Sequence, residues 1–259
     1  PQSVDDRSLR KPTILMSFLS RLWTLFVNGY PLLLEGLQST LLLAFLGTII
    51  GLFIALILIT VQSFHVMKGE PLPVRAMKHT SARLSKMYVA FFRGTPMLVQ
   101  AMVFYYGLNQ MGVRIGFFAA GLIVVSLNTA AYLTEVLKAG LNSLDVGQTE
   151  ASLSLGMSHF QTYVRILLPQ ALKNMVPAIG NELIVNIKDT AVLSVIGVGE
   201  LFYMGRAIAS TTYRYTEAFI LVSIIYLITV LIAVELLKRV AAAFGKEGPR
   251  LSSQSEGLV

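Results

Sequence analysis

The chain has 259 residues, of which 54% are hydrophobic and 14% charged, with a mean hydropathy of +0.67 and a net charge of +7. Soluble domains carry about 25% charged residues, so the composition indicates an integral membrane protein, whose cytoplasmic loops account for the positive charge, and no basic stripe with interleaved aromatic residues indicates nucleic-acid binding. The absence of cysteine excludes disulfides, thiol catalysis and cysteine-ligated metals, and His65, His79 and His159 lack the spacing of metal ligands.

The chain begins with a predicted N-terminal tail, residues 1–31. Within it, residues 13–31 mix apolar residues with few charges, which is typical of a helix that lies along a membrane interface. A transmembrane domain is predicted over residues 32–240. The remaining residues, 241–259, form a predicted cytoplasmic tail, and its polar end from residue 245 has the composition of a disordered segment.

Five segments of the central domain are predicted to cross the bilayer, which requires about 20 mainly apolar residues. They are residues 37–61, residues 97–110 with an approach from Lys86, residues 117–137, the more polar residues 172–199, and residues 217–237. In the first span, Gly47 and Gly51 have the spacing of a close helix contact. Before the second, Gly-Thr-Pro at 94–96 should break the helix. The predicted fold class is therefore an all-α integral membrane protein with five transmembrane helices.

The distribution of Lys and Arg predicts the orientation of these spans. The 62–86 and 138–173 loops and the tail after residue 237 contain twelve cations, whereas the segments on the opposite side contain seven. Because cytoplasmic loops carry the excess of Lys and Arg, we expect the N-terminus outside and the C-terminus in the cytoplasm.

A polar segment between the third and fourth spans, residues 150–169, interrupts this apolar pattern. Glu150 to Leu155 can form a short helical turn that Gly156 ends. Ser158 and Gln161 have the spacing of a capping box, so a second helix should start there and reach Pro169, a residue suited to the first turn of the next span. An ordinary amphipathic loop helix would fit the periodicity equally well.

The residues of this segment resemble the signature loop of the permeases of ATP-binding-cassette (ABC) importers. The likeness is carried by Glu150-Ala151-Ser152, Gly156 and residues 166–169, ILLP, with Ser152 where the family usually has alanine. Residues 33–40, 90–96, 126–140 and 181–197 are also similar to the polar amino-acid branch of the type I importers. The resemblance implies that the loop at about 141–170 is a cytoplasmic coupling helix that docks on an ATPase. The coupling residues that it implies are Glu150, Ala151, Gly156, Ile166, Leu168 and Pro169.

The same resemblance implies the partners and the location of the chain. They are two ABC ATPase subunits, a second permease subunit that is either a copy or a paralogue, an extracytoplasmic amino-acid-binding protein, the lipid bilayer and an amino-acid substrate. The chain has no G-x-x-x-x-G-K-[ST] phosphate-binding loop. ATP and Mg are therefore expected on the partner ATPase, with no cofactor or catalytic residue in this chain. The location implied is the bacterial inner membrane.

The fourth span is too polar for a helix that faces lipid, since a charge at the bilayer centre costs roughly 2.5–3.5 kcal/mol. Glu182, Asn186 and Asp189 share one helix face, with Asn181 beside them. In the third span Asn128, Tyr132 and Glu135 have the same spacing. The residues of both spans are candidates for a substrate path, in which a carboxylate would hold a substrate ammonium. Packing between spans would explain them equally, and Glu135 could instead pair with Lys138.

Two other classes of function were weighed against the importer permease. An intramembrane enzyme would need acid and base groups close together, and seven residues along a helix separate Glu182 from Asp189 by roughly 10 Å. An ion-coupled secondary amino-acid carrier is the alternative that remains, although five spans without a visible internal repeat argue against it.

Overall fold

The computed structural model describes residues 7–63 and 71–245, with side chains from residue 16 onward, and all regular structure in these ranges is helical. The helices are α1 (Arg7–Ser63), α2 (Leu72–Gly94), α3 (Met97–Gln110), α4 (Phe117–Asn142), α5 (Val146–Ser154), α6 (His159–Thr162), a π-helical turn (Tyr163–Leu167), α7 (Leu168–Asp189), a 3₁₀ turn (Thr190–Ile196), α8 (Leu201–Thr212) and α9 (Tyr215–Ala243). The all-α class predicted from the sequence is confirmed for these ranges.

Three helices are long and apolar enough to cross a membrane, namely Met16–Ser63 within α1, α4 and α9. Two further helix pairs reach that length only when taken together. The chain bends by 109° between α2 and α3, and by 53° between the segment His159–Ile196 and α8. The described ranges therefore contain three to five candidate spans.

Helix α1 is longer than its predicted span. The predicted interfacial segment, residues 13–31, continues into residues 37–61 without a break, so the two form one helix of 57 residues. Leu25 and Leu33 on the earlier part are buried against α8 and α9. Tertiary packing of this kind, which local sequence does not reveal, supplies most of the stability of a helix.

The other helices pack along α1. Its first part meets α8 and α9, its middle contributes Leu43 to a cluster with α3, α4 and the 3₁₀ turn, and its last part contributes Ala55 and Ile59 to a cluster with α4. The predicted close contact is confirmed, because a Cβ atom on Gly47 would lie 2.5 Å from Val125 Cγ1 of α4. Helix α4 in turn meets α7 closely, where Met175 packs against Gly140.

A sharp corner separates α2 from α3, as the Gly-Thr-Pro sequence predicts. Helix α2 ends at Gly94, and Thr95 and Pro96 are extended. The side-chain amide of Gln100 donates hydrogen bonds to the carbonyl oxygens of Phe92 and Thr95, both at 2.9 Å. The predicted 62–86 connection between the first two spans is helical where it is described, since residues 62 and 63 end α1 and the residues from 72 onward belong to α2; residues 64–70 lie outside the described ranges.

Between the fourth and fifth predicted spans the structure contains α8, which the sequence analysis did not anticipate. Its N-terminus is capped by Glu200, which is fully buried and accepts hydrogen bonds from the backbone N–H groups of Phe202 and Tyr203 at 2.8 and 2.7 Å. The Tyr226 hydroxyl of α9 donates a third bond to Glu200 at 3.0 Å. In the C-terminal tail, α9 extends to Ala243, and the segment predicted to be disordered lies outside the described residues from 246 onward.

Candidate functional site

The predicted coupling segment begins with α5, which starts four residues earlier than the turn predicted at Glu150. Asp145 caps it by accepting a hydrogen bond from Gly147 N at 2.7 Å. Glu150 and Ala151 lie in the helix with exposed side chains, whereas Ser152 is buried and donates to the Gln148 carbonyl at 2.7 Å. The Ser152 side chain therefore lies on the packed side of α5.

Gly156 ends α5 with a positive φ of 82°. Its N–H donates to the Leu153 carbonyl at 2.9 Å, and the N–H of Met157 donates to the Ser152 carbonyl at 3.1 Å. This pair of bonds is a Schellman motif, in which the left-handed residue is usually glycine. No heavy atom lies within 4 Å of a Cβ atom placed on Gly156. The requirement for glycine is therefore one of backbone conformation and not of space.

The predicted capping box is present at the next helix. Ser158 Oγ accepts from Gln161 N at 3.2 Å, and Gln161 Oε1 accepts from Ser158 N at 2.9 Å. Pro169 lies in the first turn of α7, as predicted, and α6 continues through the π turn into α7 without a break. Proline lacks an N–H and its ring would press on the carbonyl four residues earlier. A wider π turn at Tyr163–Leu167 relieves that conflict.

The coupling segment is joined firmly to α7 and presents apolar side chains outward. Gln170 Nε2 of α7 donates to Gln148 Oε1 of α5 at 2.8 Å. Of the implied coupling residues in the second half, Ile166 and Leu168 are half-buried and Pro169 is exposed. Three exposed apolar residues, Val146, Leu155 and Phe160, form what we call the loop surface, and Leu155 is 84% exposed.

The polar face predicted on the fourth span divides into two parts. Asn186 is buried, and its Nδ2 donates to Thr48 Oγ1 of α1 at 2.9 Å and to Thr129 Oγ1 of α4 at 3.0 Å. Its amide therefore connects three helices. Glu182 is half-buried and Asp189 exposed, and neither forms a hydrogen bond or ion pair with any residue of the described ranges. Asn181 is exposed on the same helix.

The polar face predicted on the third span packs against the corner between α2 and α3. Asn128 Nδ2 donates to Gln100 Oε1 at 3.0 Å. The Arg93 guanidinium lies over the ring of Tyr132, 5.6 Å from its centroid, and its Nη1 is 3.9 Å from Glu135 Oε2. Glu135 also has the predicted ion pair with Lys138, at 3.7 Å.

The two polar faces are therefore not joined to each other by their own side chains. Within the parts of the chain described, α4 and α7 are linked instead by Thr129 and Asn186. Four of the residues in these contacts were not predicted from the sequence, namely Thr48, Thr129, Gln100 and Glu200. An isolated polar residue at helical spacing within an apolar span was the available signal for the first three, since such a group needs a partner in lipid.

No group of three or more His, Asp or Glu side chains in the described ranges is placed to hold a metal ion. A cavity of about 540 Å³ lies beside the coupling segment. It is enclosed by the C-terminal ends of α1 and α4, by α2, by α5 and by the helix that starts at His159. Residues of the 62–86 and 138–173 segments thus meet at one end of the helix bundle.

The chain is similar in sequence to one family of membrane transport components and to permease proteins. The sequence model of a family described as the inner membrane component of binding-protein-dependent transport systems matches residues 75–244. The chain is 38% identical over 213 residues to the probable amino-acid permease protein YxeN of Bacillus subtilis (strain 168), covering 81% of this chain and 90% of that protein. It is 37% identical over 203 residues to the arginine transport system permease protein ArtQ of the same organism, covering 78% and 87%.

One solved structure is also similar over nearly its whole chain. It is described as the crystal structure of an amino acid ABC transporter with histidines. The match has a TM-score of 0.75 at 36% identity, and it covers 87% of this chain and 98% of that one.

Proposed function

The chain belongs to the family of inner membrane components of binding-protein-dependent transport systems, and from that premise we propose that it is the permease subunit of an ABC importer for polar amino acids. The observation that carries the proposal is the likeness to the amino acid ABC transporter structure, which extends over 98% of that chain. Such a subunit is a transport component of the inner membrane and not an enzyme.

We propose five membrane spans: α1, α3 with its approach from α2, α4, α7 with the 3₁₀ turn, and α9. The cavity supports this topology, because the cation-rich α2 and the C-terminal end of α4 line it together. The two cation-rich loops thus belong to one side of the membrane, which the excess of Lys and Arg assigns to the cytoplasm. The C-terminus is then cytoplasmic and the N-terminus outside.

The coupling segment is proposed to dock on an ATPase subunit. Large apolar side chains in contact with water are unfavourable unless a partner covers them, and the loop surface of Val146, Leu155 and Phe160 presents three of them. Glu150 adds an exposed carboxylate that can meet a cation of the ATPase. Because the segment continues into α7, force applied to it reaches the fourth span directly. ATP and Mg belong to the ATPase.

The substrate path is proposed to run along the side of α7 that carries Asn181, Glu182 and Asp189. The carboxylates of Glu182 and Asp189 form no hydrogen bond or salt bridge within the described ranges, although Lys188 attracts that of Asp189, so a substrate ammonium is a suitable partner. Asn186 supports this wall from behind by fixing α7 to α1 and α4. Asn128, Tyr132 and Glu135 act on the path through the corner between α2 and α3, where Arg93 contacts the last two.

A complete importer would contain a second permease subunit, either a copy or a paralogue, two ATPase subunits and an extracytoplasmic binding protein that delivers the amino acid. The relatives named for arginine and for histidines favour a cationic substrate, which the carboxylates of Glu182 and Asp189 would also suit. We propose a cationic amino acid as the first substrate to test.

The test is ATP-dependent uptake into liposomes that contain the chain and the subunits that purify with it. Radiolabelled arginine, histidine, glutamine and leucine form the panel, and ATP is replaced by a non-hydrolysable analogue in the control. Uptake of a cationic amino acid that requires hydrolysable ATP would support the proposal. Uptake by the chain alone along an ion gradient would overturn it in favour of a secondary carrier.

A further inference from the structure

We propose that Arg93 is a specificity-determining residue of the substrate path, and that its guanidinium binds the α-carboxylate of the amino-acid substrate. This inference rests on the proposed transport function and adds a second binding group to the path. An α-amino acid carries an ammonium and a carboxylate on one carbon, and a carboxylate taken out of water needs a partner that donates hydrogen bonds to it. The carboxylates on the wall of α7 suit only the ammonium.

The backbone on either side of Arg93 is held in place by a pair of side-chain amides. Gln100 is buried, and its Nε2 donates to the carbonyl oxygens of Phe92 and Thr95 and to Thr95 Oγ1, each at 2.9 Å. Gln100 Oε1 accepts in turn from Asn128 Nδ2 of α4 at 3.0 Å. We call Gln100 and Asn128 the amide clasp. Because the clasp fixes the last turn of α2 against α4, it also fixes the position from which the Arg93 side chain extends.

The Arg93 guanidinium keeps hydrogen-bonding capacity in this position. Its contact with the Tyr132 ring needs no N–H donor. Its contact with Glu135, at 3.9 Å, is longer than a hydrogen bond, and Lys138 shares that carboxylate at 3.7 Å. The side chain is 45% exposed, and a Cβ atom on the neighbouring Gly94 would meet no heavy atom of the described residues within 4 Å. Its five N–H donors can therefore take a second carboxylate while both contacts persist.

Arg93 also lies at the depth of the carboxylate wall. Helices α4 and α7 run antiparallel, since two contacts join them at points that are eleven residues apart on each helix. These contacts are Thr129 with Asn186 and Gly140 with Met175. Tyr132 and Glu182 each lie about one helical turn from the first contact, in the direction of the second. Arg93, which covers the Tyr132 ring, is therefore about level with Glu182.

The experiment measures ligand binding to the detergent-purified chain together with its co-purifying subunits. No extracytoplasmic binding protein is added, so that the specificity of that protein does not enter. Isothermal titration gives the dissociation constants of arginine and of agmatine, which is arginine without its carboxylate. Histidine and histamine replace them if the uptake panel identifies histidine as the substrate. The quantity compared is the ratio of the two dissociation constants.

Four variants separate the role of Arg93 from that of its neighbours. R93Q removes the charge, and R93K keeps the charge but loses the planar fork that binds a carboxylate through two parallel hydrogen bonds. Q100M removes the amide clasp while Arg93 remains. K138Q is the matched control, because Lys138 is a second cation of nearly equal exposure, 46% against 45%, that contacts the same Glu135.

We expect the unaltered complex to bind arginine about tenfold or more tightly than agmatine, because hydrogen bonds to a charged group contribute that much to affinity. R93Q should bind arginine about as weakly as agmatine. Its affinity for agmatine should be unchanged, which also shows that the variant is folded. R93K and Q100M should give intermediate ratios, and K138Q the ratio of the unaltered complex.

Three outcomes would overturn the proposal. The unaltered complex could bind agmatine as tightly as arginine, or bind neither. R93Q could leave the ratio unchanged, so that Arg93 only holds the corner between α2 and α3. K138Q could lower the ratio as much as R93Q, which would assign the effect to the charge around Glu135. Each of these is compatible with ATP-dependent uptake by the unaltered complex in liposomes, whereas the absence of that uptake would count against the proposed function instead.

Discussion

Gly156 is the residue on which the shape of the coupling segment depends most directly. Its φ of 82° lies where an L-amino acid costs about 1–2 kcal/mol, and no neighbouring atom limits the size of a side chain. We therefore expect G156A and G156L to weaken association with the ATPase by similar amounts, about 5- to 30-fold. G156N should cost less, because asparagine tolerates this conformation.

The measurement for Gly156 is the affinity of the purified chain for its ATPase subunit, with helix content by circular dichroism as the control for folding. A much larger loss for G156L than for G156A would contradict this prediction, since it would indicate that the side chain meets a surface of the partner.

Replacement of the carboxylates of α7 should reduce transport and leave assembly with the ATPase unchanged. Because Glu182 and Asp189 form no hydrogen bond or salt bridge in the described ranges, their replacement removes contacts with substrate and few contacts within the protein. Hydrogen bonds to charged groups contribute about 1.5–3 kcal/mol, so E182Q and D189N should each reduce uptake at limiting substrate by about tenfold or more. ATPase association should be unchanged.

The matched control for these variants is E235Q, which removes a carboxylate on α9 whose hydrogen bond goes to Arg239 in the same helix. Initial rates of ATP-dependent uptake are compared across the three variants. If E182Q and D189N transport as well as E235Q does, the polar face of α7 serves packing alone.

Sequence periodicity predicted that Glu182, Asn186 and Asp189 share one helix face. It did not predict which of them is buried and hydrogen-bonded to other helices. Helical spacing determines in which direction each side chain points from the helix axis. Whether that side chain is buried depends on which neighbouring helix packs on that side. Thr48 and Thr129 come from distant parts of the chain and turn Asn186 into a packing residue. The capping box at Ser158 was predictable because all of its atoms belong to four consecutive residues.

Among the elements, α1 and α4 form the contact that organises the bundle, and Gly47 permits their close approach. A leucine at position 47 would collide with Val125, and overpacking of this kind costs about 1–3 kcal/mol. We expect G47L to lower the thermal unfolding temperature of the detergent-purified protein by several degrees. G107L is the control, because nothing lies within 4 Å of that glycine on α3. Equal effects of the two substitutions would contradict a specific α1–α4 contact.

The extents of the elements were predictable where local chemistry decides them. The break at residues 94–96 follows from the properties of glycine and proline, and the structure has it. The continuity of α1 and the presence of α8 were not predictable in this way. Both depend on long-range packing, α1 through Leu25 and Leu33 and α8 through the hydrogen bond from Tyr226 to Glu200.

For the molecule as a whole, the proposed orientation can be tested directly, because the chain contains no cysteine. Met111, between α3 and α4, and Leu155, in the coupling segment, are 78% and 84% exposed. We expect a membrane-impermeant maleimide to label M111C in intact cells and to label L155C only after permeabilisation. The reverse pattern would overturn the orientation derived from Lys and Arg. Circular dichroism of each purified variant is the control for correct folding, because Leu155 belongs to the loop surface proposed to dock on the ATPase.

The continuous helix from α6 to α7 has a mechanical consequence. Its three parts contain four, five and 22 residues, which corresponds to about 45 Å at 1.5 Å per residue. The contact of Met175 with Gly140 lies near its midpoint, about 24 Å from the end at His159 and about 21 Å from Asp189. If this helix rotated about the contact as one body, its two ends would move by nearly equal distances in opposite directions. We propose that a pull on the end at His159 would therefore move Asp189 by a nearly equal distance in the opposite direction, together with the parts of α1 and α4 to which Asn186 is hydrogen-bonded.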